Sequence, residues 1–429
     1  MRSRTDPFPA TKKIRSMPTR LLTCCLNNRR ITMKRIMDEK VEQAVDLLRE
    51  LDIDLWLTFV RENLDGGDPA VPLICDFGLC GQSALIITKA GERIAVTWEH
   101  DADALINDPT WTEVIPYGQG ISQSIVETLH RLDPNQIALN YSVNDPKSDG
   151  LTYGMLQLLN KYLADTPYPS RFISAENIVG KLRARKTKGE IDRIRTAIKT
   201  TSDIFAAAAR FAAVGKTERQ VAEFMKNIVR QQHLGFAWSE PQCPIVNTGP
   251  NSPIGHSVPS DLVIQPGHIL HIDFGVLQND YCSDLQRCWY VPRTGDSGPT
   301  GTVQRGFDTV VMAISAAAEA LKPGVLGWQV DEAARNVVIS AGYEEYTHAT
   351  GHHVGKSAHD GSGVLGPRWE RYGQMPYVPV EEGNVVTLEL GIEKMEECGY
   401  IGLEEMVVVT ADGCEFLSQR QEELWTLPK

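Results

Sequence analysis

Residues Ile269 to Arg287 read ILHIDFGVLQNDYCSDLQR and contain two carboxylates, Asp273 and Asp284. The residues before Asp273 are apolar and β-forming, and Gln278-Asn279-Asp280 is polar and turn-like. The stretch reads as strand, tight turn, strand. With the turn at Gln278-Asn279, Asp273 falls directly opposite Asp284 on one face of a hairpin. Two opposed carboxylates about 5 Å apart at Cβ repel each other, and a cation between them relieves the repulsion. Read alone, such a pair is more often two exposed charges beside a turn.

Three residues downstream change that balance: His352 in THATGHHVG, Glu389 in NVVTLELG and Glu404 in GLEEMVVVT. Both glutamates lie in runs that read as buried strands, where an unpaired charge is very costly. Four carboxylates and one imidazole form a hard, oxygen-rich ligand set. Its charge nearly balances two divalent ions, which suits a pair of metals bridged by water or hydroxide.

In order and local context these residues resemble the pita-bread metallopeptidases, the family of methionine aminopeptidase, prolidase and Xaa-Pro aminopeptidase. HIDFG is similar to the first-aspartate motif, and YCSDLQR to the second motif of the Xaa-Pro branch. HATGH and VGKSAHD are similar to the histidine segment, and LEEMVVVT to the final glutamate strand. The resemblance implies an α+β fold. A catalytic pita-bread domain over 181–429 has helices outside a curved, mostly antiparallel sheet. A smaller α/β creatinase-like domain over 37–180 precedes it.

The resemblance also implies roles. Asp273 would bind one metal, His352 with Glu389 the other, and Asp284 and Glu404 would bridge the pair. Glu389 would also carry the proton from the attacking water to the leaving amine. His256, His348 and His359 match accessory histidines that bind the substrate carbonyl and the oxyanion. The ions would be two divalent metals, manganese first, with cobalt, iron or zinc as alternatives. The implied activity is removal of an N-terminal residue, often before proline, by a cytoplasmic homodimer. Prolidase (a Xaa-Pro dipeptidase) and a small-molecule lyase or hydrolase on the same fold are the alternatives. A metal-free binding module is opposed by the complete ligand set. Two positions depart from the family: Leu390 stands where proline is usual, and Gly402 where arginine is usual. The family's arginine normally hydrogen-bonds near the metal carboxylates, so its absence is expected to alter their pKa values or the substrate pocket.

The rest of the chain fits this frame. Its 429 residues suit two domains, and 42% hydrophobic with 23% charged residues is a globular composition. No apolar run approaches the ~18 residues that span a bilayer. Residues 1–36 hold ten Lys or Arg against one acid, Asp6, and the remainder holds 33 basic and 54 acidic residues. So acidic a body argues against nucleic-acid binding by a broad basic face. The basic start, with prolines at 7, 9 and 18, reads as a disordered leader or a mis-assigned start, with a transit peptide as the alternative. Nine scattered cysteines without zinc spacing suit reduced thiols in a cytosolic protein.

Val41, Ala44, Val45, Leu48 and Leu51 recur at helical spacing and predict a first helix over 37–52. Strand-like DLWLTFV, SALIITK, RIAVTWE, EVIPY and QIALNY then alternate with helical stretches, as in an α/β layer. SAENIVGKLRARKTKGEIDRIRTAI reads as a helical joint with an i,i+3 pair between Glu190 and Arg193. His271 and His353 read as structural, His271 with the option of a hydrogen bond to a ligand. Trp238 and Phe236 read equally as pocket lining and as core.

Overall fold

The computed structural model describes residues 35–427, apart from 64, 65, 297 and 394. The expected leader thus lies outside the described residues up to Lys34, and Arg35–Lys429 form one compact unit.

The first sheet has six strands in the order Glu113–Tyr117, Arg93–Trp98, Ser83–Thr88, Leu55–Val60, Ile137–Leu139, Phe172–Ser174. Its strands alternate between two apolar layers, so both faces are buried. Trp56, Leu85 and Ile87 join Val41, Leu48, Ile178 and Leu182 from helices Ile36–Glu50 and Glu176–Ala184. Leu57, Ile86 and Ile94 join Ile125, Leu129 and Leu159 from helices Ser122–Leu132 and Tyr153–Tyr162 on the other side.

The second main sheet has seven strands, five of them in the order Val385–Ile392, Ile401–Val409, Leu285–Tyr290, Ile269–Phe274, Ile245–Thr248, each antiparallel to its neighbour. Helices Lys188–Phe211 and Glu218–Gln231 bury Ile198, Phe205, Val221 and Met225 against it. Helices Gly301–Ala320 and Gly327–Ser340 bury Phe307, Val310, Val330 and Ala334 in a further cluster with Leu388, Leu390 and Leu403. The mixed helix-and-sheet architecture is the expected α+β class.

The central hairpin turns one residue later than the sequence suggests. Gln278 pairs with Tyr281, which leaves Asn279 and Asp280 as a two-residue loop with φ of 52° and 66°. Positive φ at both positions is the turn whose twist matches the flanking strands. Asp273 therefore pairs with Gln286 and not with Asp284. Moving the turn by one shifts the register by two, and a shift of two keeps each side chain on its face. One row of cross-strand partners runs Ile245, Asp273, Gln286, Glu404, Glu389. Partners in such a row share a face, and Asp284 lies two residues before Gln286.

The basic joint is two helices, not one. Glu176–Ala184 ends at an extended Arg185, and Lys188–Phe211 starts with a capping box between Thr187 and Glu190. The expected Glu190–Arg193 pair does not form. Glu190 points inward, 2.8 Å from Lys40 Nζ, and accepts the Tyr281 hydroxyl at 3.0 Å. Its N3 position aims it back at the helix start, and burial of Lys40 then supplies the cation. Arg193 instead donates to the Asn279 carbonyl at 3.1 Å.

Candidate metal centre

Each candidate ligand sits on an element that fixes its backbone. Asp273 lies in Ile269–Phe274, Glu389 in Val385–Ile392 and Glu404 in Ile401–Val409. Asp284 immediately precedes Leu285–Tyr290. His352 ends the short strand Gly351–His352, held beside Val385–Ile392 by Glu389 N–H to Thr350 O at 2.7 Å and Val354 N–H to Val385 O at 3.0 Å. Asp331 anchors that segment from below: it receives Arg335 through two bonds of 2.8 Å and the Thr350 hydroxyl at 2.8 Å.

All five candidates line one cavity of about 370 Å³. His352 Nε2 lies 3.5 Å from Glu389 Oε1, 3.8 Å from Asp284 Oδ2 and 4.0 Å from Glu404 Oε1. Asp284, His352 and Glu404 offer ligand atoms within 4.8 Å of one another. His256 and His359 line the same cavity, and His348 joins them on an adjoining one of about 620 Å³. The His359 ring stands edge-on to that of His352, 4.2 Å between centroids. His348 Nδ1 bonds the Ala349 carbonyl at 2.7 Å.

The electrostatics call for a cation. Burial, and then the neighbouring carboxylates, push Asp273, Asp284 and Glu404 well above the ordinary carboxylate range. Burial also raises Glu389, against the pull of His348 and His256. Burial, and then His359, hold His352 well below the ordinary imidazole range, which leaves it neutral and able to ligate. Asp273 Oδ1 and Glu404 Oε1 are buried without a hydrogen-bond partner. Orphaned oxygens among crowded carboxylates fit divalent ions and fit little else.

Four further residues shape the site. Gln286, between Asp273 and Glu404 in the row, donates to Glu389 Oε2 at 3.2 Å and meets His271 Nε2 at 3.0 Å. Asn247 Oδ1 lies 3.2 Å from the other ring nitrogen of His271. Burial holds His271 neutral, with a pKa of about 4. Asn247 gives its NH2 to the Ser252 hydroxyl and the Pro253 carbonyl, as Gln286 gives its own to Glu389, so both amide oxygens face the ring and its single N–H donates to one of them. His271 thus reaches Glu389 through Gln286, a link that the sequence left open. Tyr400 explains Gly402. A Cβ on Gly402 would lie 2.4 Å from the Tyr400 ring, and one on Gly391 2.2 Å from its hydroxyl. These glycines are cross-strand partners, and the phenol rests above them against His271. Leu390, the other departure, is fully buried among Leu388 and Leu403. Trp238 and Phe236 both pack against the core, and Trp238 also lines the smaller cavity.

A model of metallopeptidase family M24 matches residues 192–411. A "Xaa-Pro dipeptidase" of Pyrococcus horikoshii is 26% identical over 392 residues, 91% of this chain and 99% of that protein. Among solved structures, a "Xaa-Pro dipeptidase" from Bacillus anthracis superposes with a TM-score of 0.70 at 24% identity, over 91% of this chain and 100% of that one. An "X-Pro aminopeptidase" from Thermotoga maritima gives a TM-score of 0.66 at 24% identity, over 90% of this chain and 99% of that one. The two solved structures share the fold, which is the pita-bread arrangement that the motifs led us to expect.

Proposed function

The chain belongs to metallopeptidase family M24, and from that premise we propose that it is an exopeptidase cleaving the bond that precedes proline. As a member of that family it is a metal-dependent hydrolase of peptides. The proline preference is supported by the likeness to a "Xaa-Pro dipeptidase", and the metal chemistry by the single cavity wall shared by Asp273, Asp284, His352, Glu389 and Glu404. Asp273 would hold one ion, His352 and Glu389 would hold a second, and Asp284 and Glu404 would be shared between the two. Manganese suits this carboxylate-rich set with its one imidazole. Bound divalent ions would acidify a water and polarise the scissile carbonyl.

The chain's own groups do the rest. Glu389 receives the water's proton and passes it to the amine that leaves. Gln286 orients that carboxylate by its bond to Oε2. His256, His348 and His359 project from loops into the cavities and offer N–H donors to the carbonyl oxygen as it gains charge. No helix among the described residues is long and apolar enough to cross a membrane; a cytoplasmic homodimer remains our proposal. The experiment is a panel of metal-loaded reactions on Xaa-Pro dipeptides, longer Xaa-Pro peptides and matched peptides lacking proline. Cleavage confined to bonds before proline is expected. Equal cleavage of the proline-free set contradicts the proline preference, and cleavage of no peptide at all contradicts the reading in favour of a small-molecule reaction on the same fold.

A further inference from the structure

One wall of the cavities comes from outside the catalytic half. Asp145, Pro146 and Lys147 line the larger cavity, and Lys147 lines the smaller one as well, beside His256 and His359. They follow the strand Ile137–Leu139 of the first sheet. Their loop is tied down by its own bonds. Asp145 is buried, and its carboxylate accepts from Lys147 N–H at 2.9 Å and from the Ser148 hydroxyl at 2.8 Å. Asp145 N–H donates to the Ser142 oxygen at 2.8 Å, and that hydroxyl donates to Glu176 Oε2 at 2.6 Å. The Lys147 backbone is thus held at the cavity and does not drift across it.

Lys147 is the single lysine or arginine among the residues lining either cavity. Its ammonium pairs with no carboxylate among the described residues, although Asp360, Glu393 and the candidate metal ligands line the same cavities. Those acids are otherwise engaged: Asp360 with Arg183, and Glu393 with the Thr347 N–H at 2.9 Å and hydroxyl at 2.8 Å. The four metal-site carboxylates would be neutralised by the ions they hold. A partly buried ammonium without a partner, facing a substrate cavity, is a site for an anionic group of the substrate.

We propose that Lys147 binds the free C-terminal carboxylate of the substrate, so that the preferred substrate is a dipeptide. This rests on the peptidase reading above. An extended dipeptide spans about 7 Å and fits within the cavity of about 620 Å³ that Lys147 lines, so its carboxylate stays inside that cavity. A longer peptide presents a neutral amide at that point and must leave through the mouth. Catalysis then draws its charge selection from a loop of the first sheet, while the chemistry stays with the second.

The test uses the full, metal-loaded chain with Ala-Pro, its C-terminal amide and a tripeptide beginning Ala-Pro. The wild type should favour the free dipeptide. Lys147→Met should raise KM for the dipeptide about 10- to 100-fold, the loss expected of one charge-assisted hydrogen bond, with kcat nearly kept and the amide unaffected. Lys147→Arg should restore most of the loss. Equal kcat/KM for acid and amide in the wild type overturns the proposal, and so does an equal loss on both substrates in Lys147→Met. If neither peptide turns over, the peptidase reading has failed on its own, and calorimetry still decides this one. The wild type must bind the acid more tightly than the amide, and Lys147→Met must bind both alike; equal binding by the wild type overturns it.

Discussion

Tyr400 and Gly402 are the sharpest case of one residue dictating another. The phenol occupies the space that any side chain at 402 would need. Gly402→Ala should therefore lower stability by about 1–3 kcal/mol through overpacking, read as a fall in the chemical-denaturation midpoint. Tyr400→Ala in the same chain should return most of it; no recovery would show that the clash lies elsewhere. Glu404 and His359 separate binding from chemistry. Glu404→Ala removes an orphaned carboxylate oxygen from the cluster, so metal content and turnover should fall together. His359→Ala should keep its metal and lose roughly 10²–10³ in kcat, the usual cost of one oxyanion donor. Metal analysis beside steady-state kinetics on both variants checks the split, and a His359→Ala enzyme with full activity on every peptide contradicts its role. The five candidate ligands were legible in the sequence as candidates because each sits in a short, distinctive context, and the structure brings all five to one cavity. Gln286 and Lys147 were not, since an amide in a strand and a lysine in a loop carry no local signal, and their roles arise from partners far along the chain.

At the scale of elements, the hairpin shows what residue types can and cannot locate. Polar Gln278, Asn279 and Asp280 mark a turn, but which pair forms the loop depends on which backbones take positive φ. The error was harmless to the site because it moved the register by an even number. Asp280 holds φ 66°, a conformation that favours glycine. Asp280→Gly creates the Asn-Gly sequence preferred for this loop, and should raise thermal stability slightly without changing activity. A lower melting temperature would contradict the turn geometry. The joint before Lys188 was legible as helix but not as two helices, because Thr187 acts as a cap only once Glu190 turns back to it. Glu190 in turn was misread as a surface partner of Arg193. Its buried partner, Lys40, lies 150 residues earlier.

For the whole molecule, the metal site should govern stability through pH. The folded pKa values of Asp273, Asp284, Glu389 and Glu404 are raised above their unfolded values. A raised carboxylate stabilises the fold below its unfolded pKa, about 4, and that contribution is lost as pH rises through the folded pKa. Buried His271 and His353, depressed to about 4 and about 3, act in the opposite direction as pH falls below the ordinary imidazole range. Lys186, lowered to about 8 by burial, makes stability rise with pH only above that value, so from about pH 6.5 up to there the raised carboxylates dominate. The melting temperature of the metal-free chain should therefore fall as pH rises over that range, and the gap to the metal-loaded chain should widen. A gap that stays constant with pH would contradict this. The most direct test of the centre itself is a calorimetric titration of the metal-free full chain with Mn²⁺, with elemental analysis of the product. The account predicts two ions bound per chain, both lost or weakened in Glu404→Ala; a wild type that binds no transition metal, or that saturates at one ion, would contradict it.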